Sequence, residues 1–390
     1  MKRNVCIVVA AATALAVSVG CDPGDEPAPE EIDEQFSSEY EEFRLTAIAG
    51  PFEHPWAVQP LGEDRWLVTE RPGRLVLVED GGDQIREIDG LPEVRADGQG
   101  GMLDVAVHPE FDEQPWVYLT YSKPEGGGET ATALSRGRLE GEALEDVEEL
   151  FVQNNSFSAG THYGSRIAWN EDGQLLMSIG DRGDPLQAQQ LDDHTGTILR
   201  LEADGSVPED NPFVDDDEAL DEIYAYGLRN VQGMVVDPDI GQIWVTDHGP
   251  RGGDEINLIE AGENYGWPLV TLGLDYGTEE MPDYAEGRRM EGMVEPVHEF
   301  LPTHAPSGLA LVGGEQFGAW QGNLLAGGLR AQRIRRVVID EYDGDYEVFH
   351  EEELLLQQIG RIRDVAEGPD GSLYVVNDAE NGQLFRIGAP

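Results

Sequence analysis

One histidine and one aspartate stand at the two ends of a predicted β-hairpin. Residues 167–169 favour a strand, residues 170–173 a turn and residues 175–179 a returning strand. Because a hairpin brings its ends together, we expect His162 and Asp181 to lie at the same edge of the sheet. A carboxylate that orients an imidazole is the arrangement of a general base and its partner. A structural histidine beside a turn aspartate is the alternative that this stretch leaves open.

Two arginines near the C-terminus form a second group. Arg361 and Arg363 are two positions apart, so on an extended strand both side chains point to one side. Arginine is scarce relative to acid in this chain, and paired guanidinium groups bind carboxylates well. The pair therefore indicates an anionic ligand, with ion pairs to surface carboxylates as the alternative.

A glycine-rich loop between residues 249 and 267 carries many oxygen donors. It reads GPRGGDE, followed by NYGW at residues 264–267. Calcium binds carboxylates and backbone carbonyls in irregular loops, so the loop could hold this ion, although it does not match the twelve-residue helical calcium loop. The acidic run at residues 215–218 is interpreted instead as a solvated loop.

A short β-rich unit recurs six times and must position these residues. Each unit pairs an alternating strand with an apolar strand across a Pro, Asp or Gly turn. The units begin at Trp56, Leu103, Arg166, Gln232, Gly308 and Arg363. Six such units over about 350 residues predict an all-β fold, a six-bladed β-propeller whose loops converge at one end of a central channel. Two packed β-domains are the competing fold.

The composition restricts the function further. The chain has 78 acidic and 25 basic residues, a formal charge of -53, and only two lysines, Lys2 and Lys123. Such a surface repels nucleic acid and anionic membranes and suggests adaptation to high salt. The sequence has no HExxH zinc helix, GxSxG elbow, phosphate loop or dinucleotide fingerprint. Redox chemistry, if present, does not use a nicotinamide in a Rossmann domain.

The N-terminus predicts export. Residues 1–21 combine a basic start, an apolar run and small residues before Cys21, which resembles a bacterial lipoprotein signal in which Cys21 is lipidated. An ordinary cleaved signal peptide is the alternative. Residues 22–42 are acidic and Pro-containing and are predicted to be a disordered tether to a catalytic domain at residues 43–390. The expected location is the periplasm or cell envelope, with membrane contact only through the lipid.

Six motifs make residues 50–388 similar to the soluble quinoprotein glucose dehydrogenases, especially their bacterial aldose sugar dehydrogenase branch. The resemblance implies a six-bladed propeller that uses pyrroloquinoline quinone (PQQ) and calcium. The motifs are GQGGMLDVAVHPEF (98–111), HYGSRIAW with SIGDRG (162–183), YGLRNVQGM (226–234), DHGPRGGDEINLIEAGENYGWP (247–268), PTHAPSG (302–308) and RIRDVAEGPDGSLYV (361–375).

The resemblance also implies roles for individual residues. His162 resembles the catalytic base, Asp181 its carboxylate partner and Arg229 the arginine facing the reactive quinone carbonyl. Residues that resemble cofactor contacts are Gln99, Arg229, Asn230, Thr303, Arg330, Arg361 and Arg363. Arg330 departs from the family's glucose enzymes, which have a lysine there. Residues that resemble calcium ligands are Gly249 and Pro250, through their carbonyls, and Asp254, Glu255 and Tyr265 at a second, structural calcium site.

The implied reaction is the oxidation of an aldose at its anomeric carbon. His162 would take the hydroxyl proton while hydride passes to PQQ, giving a lactone. The sequence identifies neither the sugar nor the electron acceptor. Two other hypotheses remain open at this stage: a calcium-dependent propeller hydrolase acting on lactones or esters, and a binding propeller without catalysis.

Overall fold

The computed structural model describes residues 32–62 and 64–390. The predicted export signal, Cys21 and the first part of the tether, residues 22–31, lie outside the described residues. Almost all regular structure in the described part is β. Three short 3-10 turns occur, at Asp80–Gly82, Pro185–Gln189 and Glu315–Trp320. No described helix is long and apolar enough to cross a membrane.

The described residues form twenty-five strands in six antiparallel sheets, which confirms the six-bladed propeller. The first blade contains β3 (Pro55–Gly62), β4 (Arg65–Glu70), β5 (Arg74–Glu79) and β6 (Gln84–Glu87). The second contains β7 (Met102–Val107), β8 (Trp116–Gly126), β9 (Glu129–Glu140) and β10 (Ala143–Val152). The third contains β11 (Gly164–Trp169), β12 (Leu175–Ile179), β13 (Thr197–Leu201) and β14 (Ile223–Tyr226).

The other three blades complete the ring. The fourth blade contains β15 (Val231–Val236), β16 (Ile243–Asp247), β17 (Glu255–Ile259) and β18 (His298–Glu299). The fifth contains β19 (Pro306–Leu311), β20 (Leu324–Gly328), β21 (Arg333–Tyr342) and β22 (Asp345–Leu354). The sixth contains β23 (Ile362–Glu367), β24 (Leu373–Asn377) and β25 (Gly382–Gly388), joined by β2 (Glu42–Phe52) and β1 (Asp33–Ser37). The six predicted repeat units are the first two strands of each blade.

The N-terminal strands close the ring, and they correct the predicted tether. β2 pairs with β25, so the sixth blade contains both ends of the described chain. β1 pairs with β2 in register from Asp33↔Thr46 to Ser37↔Glu42, so the end of the tether at residue 42 was placed too late. Phe36, which stacks on Phe43 with ring centroids 5.6 Å apart, supplies the apolar contact that the acidic composition concealed.

Apolar side chains between neighbouring blades form the core. The middle strands β4, β12 and β16 are buried along nearly their whole length, as expected for strands with sheets packed on both faces. Near the channel axis, Arg166 is buried and lies 3.0 Å from both Asp104 and Asp364. Burial raises the pKa of Asp104 to about 6 although Arg166 opposes this. This ion-pair triad joins β7, β11 and β23, the innermost strands of three blades.

Candidate active site

The predicted hairpin is present, and it brings the predicted pair together. β11 and β12 pair antiparallel, and the Nδ1 atom of His162 lies 2.6 Å from Oδ1 of Asp181. The Asp181 side chain is only 2% exposed, whereas that of His162 is 18% exposed. An orienting carboxylate is therefore buried behind an imidazole that solvent and substrate can reach.

The chain around His162 is tightly constrained. His162 has a left-handed backbone, with φ 51°, and its N–H donates to Oε1 of Gln99 at 2.8 Å. A Cβ at Gly180 would lie 2.0 Å from the His162 carbonyl oxygen, so only glycine fits there. Strained backbone of this kind persists where the surrounding structure determines it, and it is concentrated at functional sites.

Arg182 fixes the loop that carries His162. Its guanidinium is fully buried, donates to the carbonyl oxygens of Thr161 and Ala159, and lies 3.7 Å from the ring centroid of Tyr163. Burial lowers the pKa of Arg182 to about 10. Arg182 was not singled out from the sequence, because its contacts come from several earlier segments of the chain, at Thr130, Gln153 and residues 159–161.

The charge on Asp181 is stabilised from several directions. Burial opposes its ionisation, but the hydrogen bond from His162 and the positive charge of Arg229 hold its pKa below the usual value. The backbone N–H of Gly183 donates to Oδ1 at 2.9 Å, and the indole N–H of Trp267 donates to Oδ2 at 2.9 Å. Asp181 is therefore prepared to stay ionised and to stabilise an imidazolium.

A cavity at this end of the channel contains most of the predicted cofactor contacts. Of the sequence-predicted residues, Gln99, Asn230, Arg361 and Arg363 line it. Six further residues with polar or aromatic side chains were not predicted from the sequence: His54, Trp56, Arg71, Gln232, His248 and Asp378. The His162 pair lies beside this cavity, since Gln99 binds His162 and Oδ1 of Asn230 accepts the N–H of Gly164 at 3.0 Å.

The guanidinium of Arg363 is buried and forms no ion pair with a carboxylate of the described residues. Its Nη1 donates to Oε1 of Gln232 at 2.9 Å, and its guanidinium lies 4.3 Å from the centroid of the Trp56 ring. Nε and Nη2 have no hydrogen-bond partner among the described residues. Burial lowers the pKa of Arg363 to about 9 although Asp378 raises it. A buried cation with two unused donors fits an anionic ligand, because unpaired buried donors are costly.

Arg361 and Arg229 differ from Arg363 in their partners. Arg361 is more exposed and pairs with Oδ2 of Asp378 at 3.0 Å, which is the ion pair considered as the alternative for this position. Arg229 donates to the carbonyl of His248 at 3.2 Å, lies 5.2 Å from the Trp267 ring centroid and keeps Nε unpaired among the described side chains. Its backbone N–H and that of Asn230 both donate to Asp247.

Thr303 and Arg330 are not among the residues that line the cavity. The hydroxyl of Thr303 donates to Oδ2 of Asp254 at 2.7 Å, so its side chain holds its own loop. Arg330 follows β20 and is exposed, and its neighbour Leu329 lines the cavity instead. The described cavity therefore gives neither residue a contact with a ligand.

The loop predicted to hold calcium has two kinds of residues. Gly249 and Pro250 are buried, and their carbonyl oxygens accept no hydrogen bond from the described residues, so both remain available to a hard cation. In the described part of the chain, no group of three or more His, Cys, Asp or Glu side chains has metal-binding geometry.

The side chains predicted for a second calcium site mostly have other partners. Oδ2 of Asp254 accepts Thr303 and the backbone N–H groups of His304 and Ala305, and Oδ1 accepts the N–H of Gly249. The Tyr265 hydroxyl donates to Leu258 and accepts the N–H of Glu260.

Glu255 has one weaker partner, because its Oε2 accepts a hydrogen bond from Nδ2 of Asn257 at 3.3 Å. Burial, with Asp247 adding to it, raises the pKa of Glu255 to about 8. Its strand β17 pairs directly with residues carrying two more carboxylates, Asp247 and Glu299. These neighbouring carboxylates add to the raised pKa of Glu255, but they do not form a metal-binding group in the described part of the chain.

Comparisons with known proteins place this geometry among sugar dehydrogenases. Residues 52–386 match the family model described as glucose/sorbosone dehydrogenase. The aldose sugar dehydrogenase YliI from Escherichia coli (strain K12) is 37% identical over 88% of this chain and 92% of that protein. A crystal structure of glucose dehydrogenase has a TM-score of 0.85 at 38% identity, with 89% of this chain and 99% of that chain covered.

A cofactor-bound structure is also similar. The PQQ-bound form of aldose sugar dehydrogenase from Streptomyces coelicolor has a TM-score of 0.69 at 25% identity, with 93% of this chain and 99% of that chain covered.

Proposed function

Since the chain belongs to the glucose/sorbosone dehydrogenase family of β-propeller oxidoreductases, we propose that it oxidises aldose sugars at the anomeric carbon to lactones with PQQ and calcium. The observation that carries this proposal is Arg363. Its buried guanidinium has two donor nitrogens, Nε and Nη2, without a hydrogen-bond partner among the described residues, which favours an anionic ligand, and PQQ carries three carboxylates. Arg361, which lines the same cavity, is the second cation toward the same ligand.

His162 is the proposed general base. Its Nδ1 faces Asp181, so Nε2 is left to accept the proton of the anomeric hydroxyl. Asp181 fixes the orientation of the ring and offsets the positive charge that His162 gains. Because the Asp181 pKa is held below its usual value, the carboxylate keeps this charge through the physiological pH range.

Arg229 does not line the cavity but donates to the carbonyl of His248, which does, and it is the proposed group that stabilises negative charge developing at this edge of the site. The Arg229 backbone is fixed through Asp247, and contact with the Trp267 ring restricts the position of the Arg229 guanidinium. Its Nε remains free to donate. A preorganised donor of this kind stabilises charge in the transition state without reorganisation. Gln99 and Asn230 hold the chain around His162 at the edge of the cavity.

Residues around the cavity could hold both cofactors. Arg363, Arg361 and Gln232 would bind PQQ, and the carbonyl oxygens of Gly249 and Pro250 would bind calcium. When bound, PQQ supplies the acceptor for the hydride and calcium supplies a Lewis acid. Side-chain ligation of a second calcium by Asp254 and Tyr265 is not part of the proposal, because their oxygens already have partners.

We propose that the reaction takes place outside the cytoplasm. The signal at residues 1–21 supports export, and Cys21 supports a lipid anchor in the cell envelope. The substrate would then be a sugar outside the cytoplasm, and the electron acceptor a component of the same compartment.

The test is reconstitution of the purified protein. The apoprotein is incubated with PQQ, with calcium, with both or with neither, and aldoses and non-sugar alcohols are screened with an artificial dye as the electron acceptor. We expect dye reduction with aldoses only when both are present. Dye reduction that depends on NAD, or hydrolysis of lactones with calcium alone, would contradict the proposal, and the latter would favour a propeller lactonase.

A further inference from the structure

We infer that Trp267 is a positioning residue for the His162–Asp181 pair. Its indole N–H holds the Asp181 carboxylate and thereby limits the basicity of His162. The inference deepens the proposed function, because it concerns the same site. It starts from the distribution of donors around Asp181. Oδ1 faces Nδ1 of His162 at 2.6 Å, whereas Oδ2 accepts the indole N–H of Trp267 at 2.9 Å.

This hydrogen bond connects two blades. Asp181 follows β12 in the third blade, and Trp267 lies in the long segment after β17 in the fourth, 86 positions later. The carboxylate is 2% exposed and the tryptophan 6% exposed, so water does not replace the indole donor at low cost. The pair on one blade is therefore oriented by the next blade.

Trp267 is itself held at several points. Its backbone N–H donates to the carbonyl of Gly227 at 2.8 Å, and its own carbonyl accepts Nε2 of Gln189 at 2.7 Å. The Tyr284 ring meets the indole edge to face, with centroids 5.5 Å apart. The Arg229 guanidinium lies 5.2 Å from the indole centroid. One ring thus contacts both the carboxylate behind the base and the proposed charge-stabilising arginine.

The position of the donor predicts its electrostatic effect. A neutral N–H at Oδ2 draws negative charge away from Oδ1, so Asp181 stabilises the imidazolium of His162 less than a free carboxylate would. Removal of the N–H should therefore make His162 more basic. The other ionisable groups facing the pair are Arg182, Arg229, Asp247, His248 and Tyr284, and none of them is substituted in the variant below.

The test variant is Trp267→Phe, which keeps an aromatic ring and removes only the donor and one ring of the indole. Trp169→Phe is the matched control. Trp169 lies on β11, in the hairpin of His162, and its Nε1 has no hydrogen-bond partner among the described residues. Trp169 lies at the turn end of the hairpin, away from His162, so both variants replace a tryptophan by phenylalanine but only Trp267→Phe removes a hydrogen bond to Asp181.

The first measurement uses the apoprotein and needs no activity. The histidine Cε1 resonances are followed by NMR against pH, and His162 is assigned with His162→Gln. We expect the pKa of His162 to rise by about 0.5 unit or more in Trp267→Phe and by less than about 0.2 unit in Trp169→Phe. An unchanged His162 pKa in a folded Trp267→Phe protein would overturn the inference.

The second measurement uses the reconstituted enzyme. The acid limb of kcat/KM against pH should move to higher pH in Trp267→Phe, and kcat at pH 7 should fall by roughly 3-fold to 30-fold with a smaller change in KM. Equal losses in Trp267→Phe and Trp169→Phe, with no change in the pH profile, would show a merely structural role. If no aldose is oxidised at all, the proposed function fails, while the NMR result still decides the inference.

A third measurement uses the unsubstituted protein, so its result does not depend on whether Trp267→Phe folds. Among the indole N–H resonances of protein labelled with nitrogen-15, one should shift with the same apparent pKa as His162. This shift should disappear in Asp181→Asn. If no indole resonance follows the titration of His162, the inference is wrong regardless of how Trp267→Phe folds.

Discussion

Two histidine–aspartate pairs lie around the same cavity, and they differ in what else the carboxylate binds. The His162 pair is joined at 2.6 Å and the His54 pair, His54 with Asp378, at 2.8 Å. Asp181 is 2% exposed and receives neutral donors, from Trp267 and Gly183, in addition to His162. Asp378 is 15% exposed and shares its charge with Arg361.

The difference shows how the same two residue types acquire different roles. The carboxylate of the His162 pair accepts no hydrogen bond from a guanidinium of the described residues, and Arg229 acts on it only through its charge, so the carboxylate can respond strongly when His162 gains a proton. The carboxylate of the His54 pair is already neutralised by a permanent guanidinium, so it responds less. We therefore assign proton transfer to the His162 pair and control of the positive charge in the cavity to the His54 pair. The predictions below test this division.

The largest expected difference is in turnover after removal of each imidazole. His162→Ala should lose about 100-fold or more of kcat at saturating PQQ, the usual effect of deleting a general base. His54→Ala should lose less than about 10-fold, because its carboxylate partner keeps Arg361. The measurement is dye-linked aldose oxidation at pH 7, with PQQ binding checked separately. Comparable losses in both variants would abolish the distinction between the pairs.

The two aspartates should affect different quantities. Asp181→Asn should lower kcat by roughly 10-fold to 100-fold, because the amide cannot offset the imidazolium charge, and should leave PQQ affinity nearly unchanged. Asp378→Asn should bind PQQ about 3-fold to 10-fold more tightly, because loss of its charge frees Arg361 and raises the positive potential around Arg363. PQQ titration of each apoprotein with calcium saturating is the measurement. Weaker binding by Asp378→Asn would refute the role given to the His54 pair.

The pH dependence of stability should separate the aspartates from their amide variants. The pKa of Asp181 and of Asp378 is held below the usual 3.8, so each ionised carboxylate contributes stability above that pH and loses it as pH falls through its folded-state pKa. Each Asn variant should melt about 2 °C lower at pH 7.

The melting temperatures of the parent and the Asn variants should also be compared at acidic pH, because the direction of the change shows whether ionisation of the carboxylates causes it. The gap in melting temperature between parent and variant should narrow as pH falls from about 5 to below about 3.8. Thermal melts monitored by circular dichroism over this range provide the test. A gap that stays constant or widens toward low pH would mean that neither carboxylate owes its stability contribution to ionisation.

Salt should have the smallest effect on the difference between the two histidine–aspartate pairs. With a formal charge of -53, repulsion across the surface extends about 30 Å at 0.01 M salt and about 3 Å at 1 M. The melting temperature should therefore rise with sodium chloride, with calcium kept saturating. The rise should be equal in Asp181→Asn and Asp378→Asn, because the buried pairs are screened much less. A flat or falling melting temperature would contradict the high-salt interpretation.

The blade pattern and the hairpin pair were predictable because they depend on neighbours in the chain. Alternating strands joined by Asp and Gly turns identify the first two strands of every blade. The approach of His162 and Asp181 follows from a turn between residues 170 and 173. The strand at Asp33–Ser37 was missed because acidic residues conceal one stacked aromatic contact, Phe36 on Phe43. Thr303 and Arg330 show that motif similarity can place a residue in the chain without showing that its side chain lines the cavity.

The sequence by itself determined the repeat, the absence of nucleotide and zinc motifs, the acidic surface and the identity of the His162 pair. Only the tertiary structure decided which groups surround that pair. Trp267 reaches Asp181 across 86 positions, and Gln232 reaches Arg363 across 131. Such contacts form between blades, so they depend on how six sheets close into a ring and not on local periodicity. Ring closure also buries Arg363 with no ion-pairing carboxylate in the part of the chain that the structure describes, which makes this arginine the strongest sign of an anionic ligand.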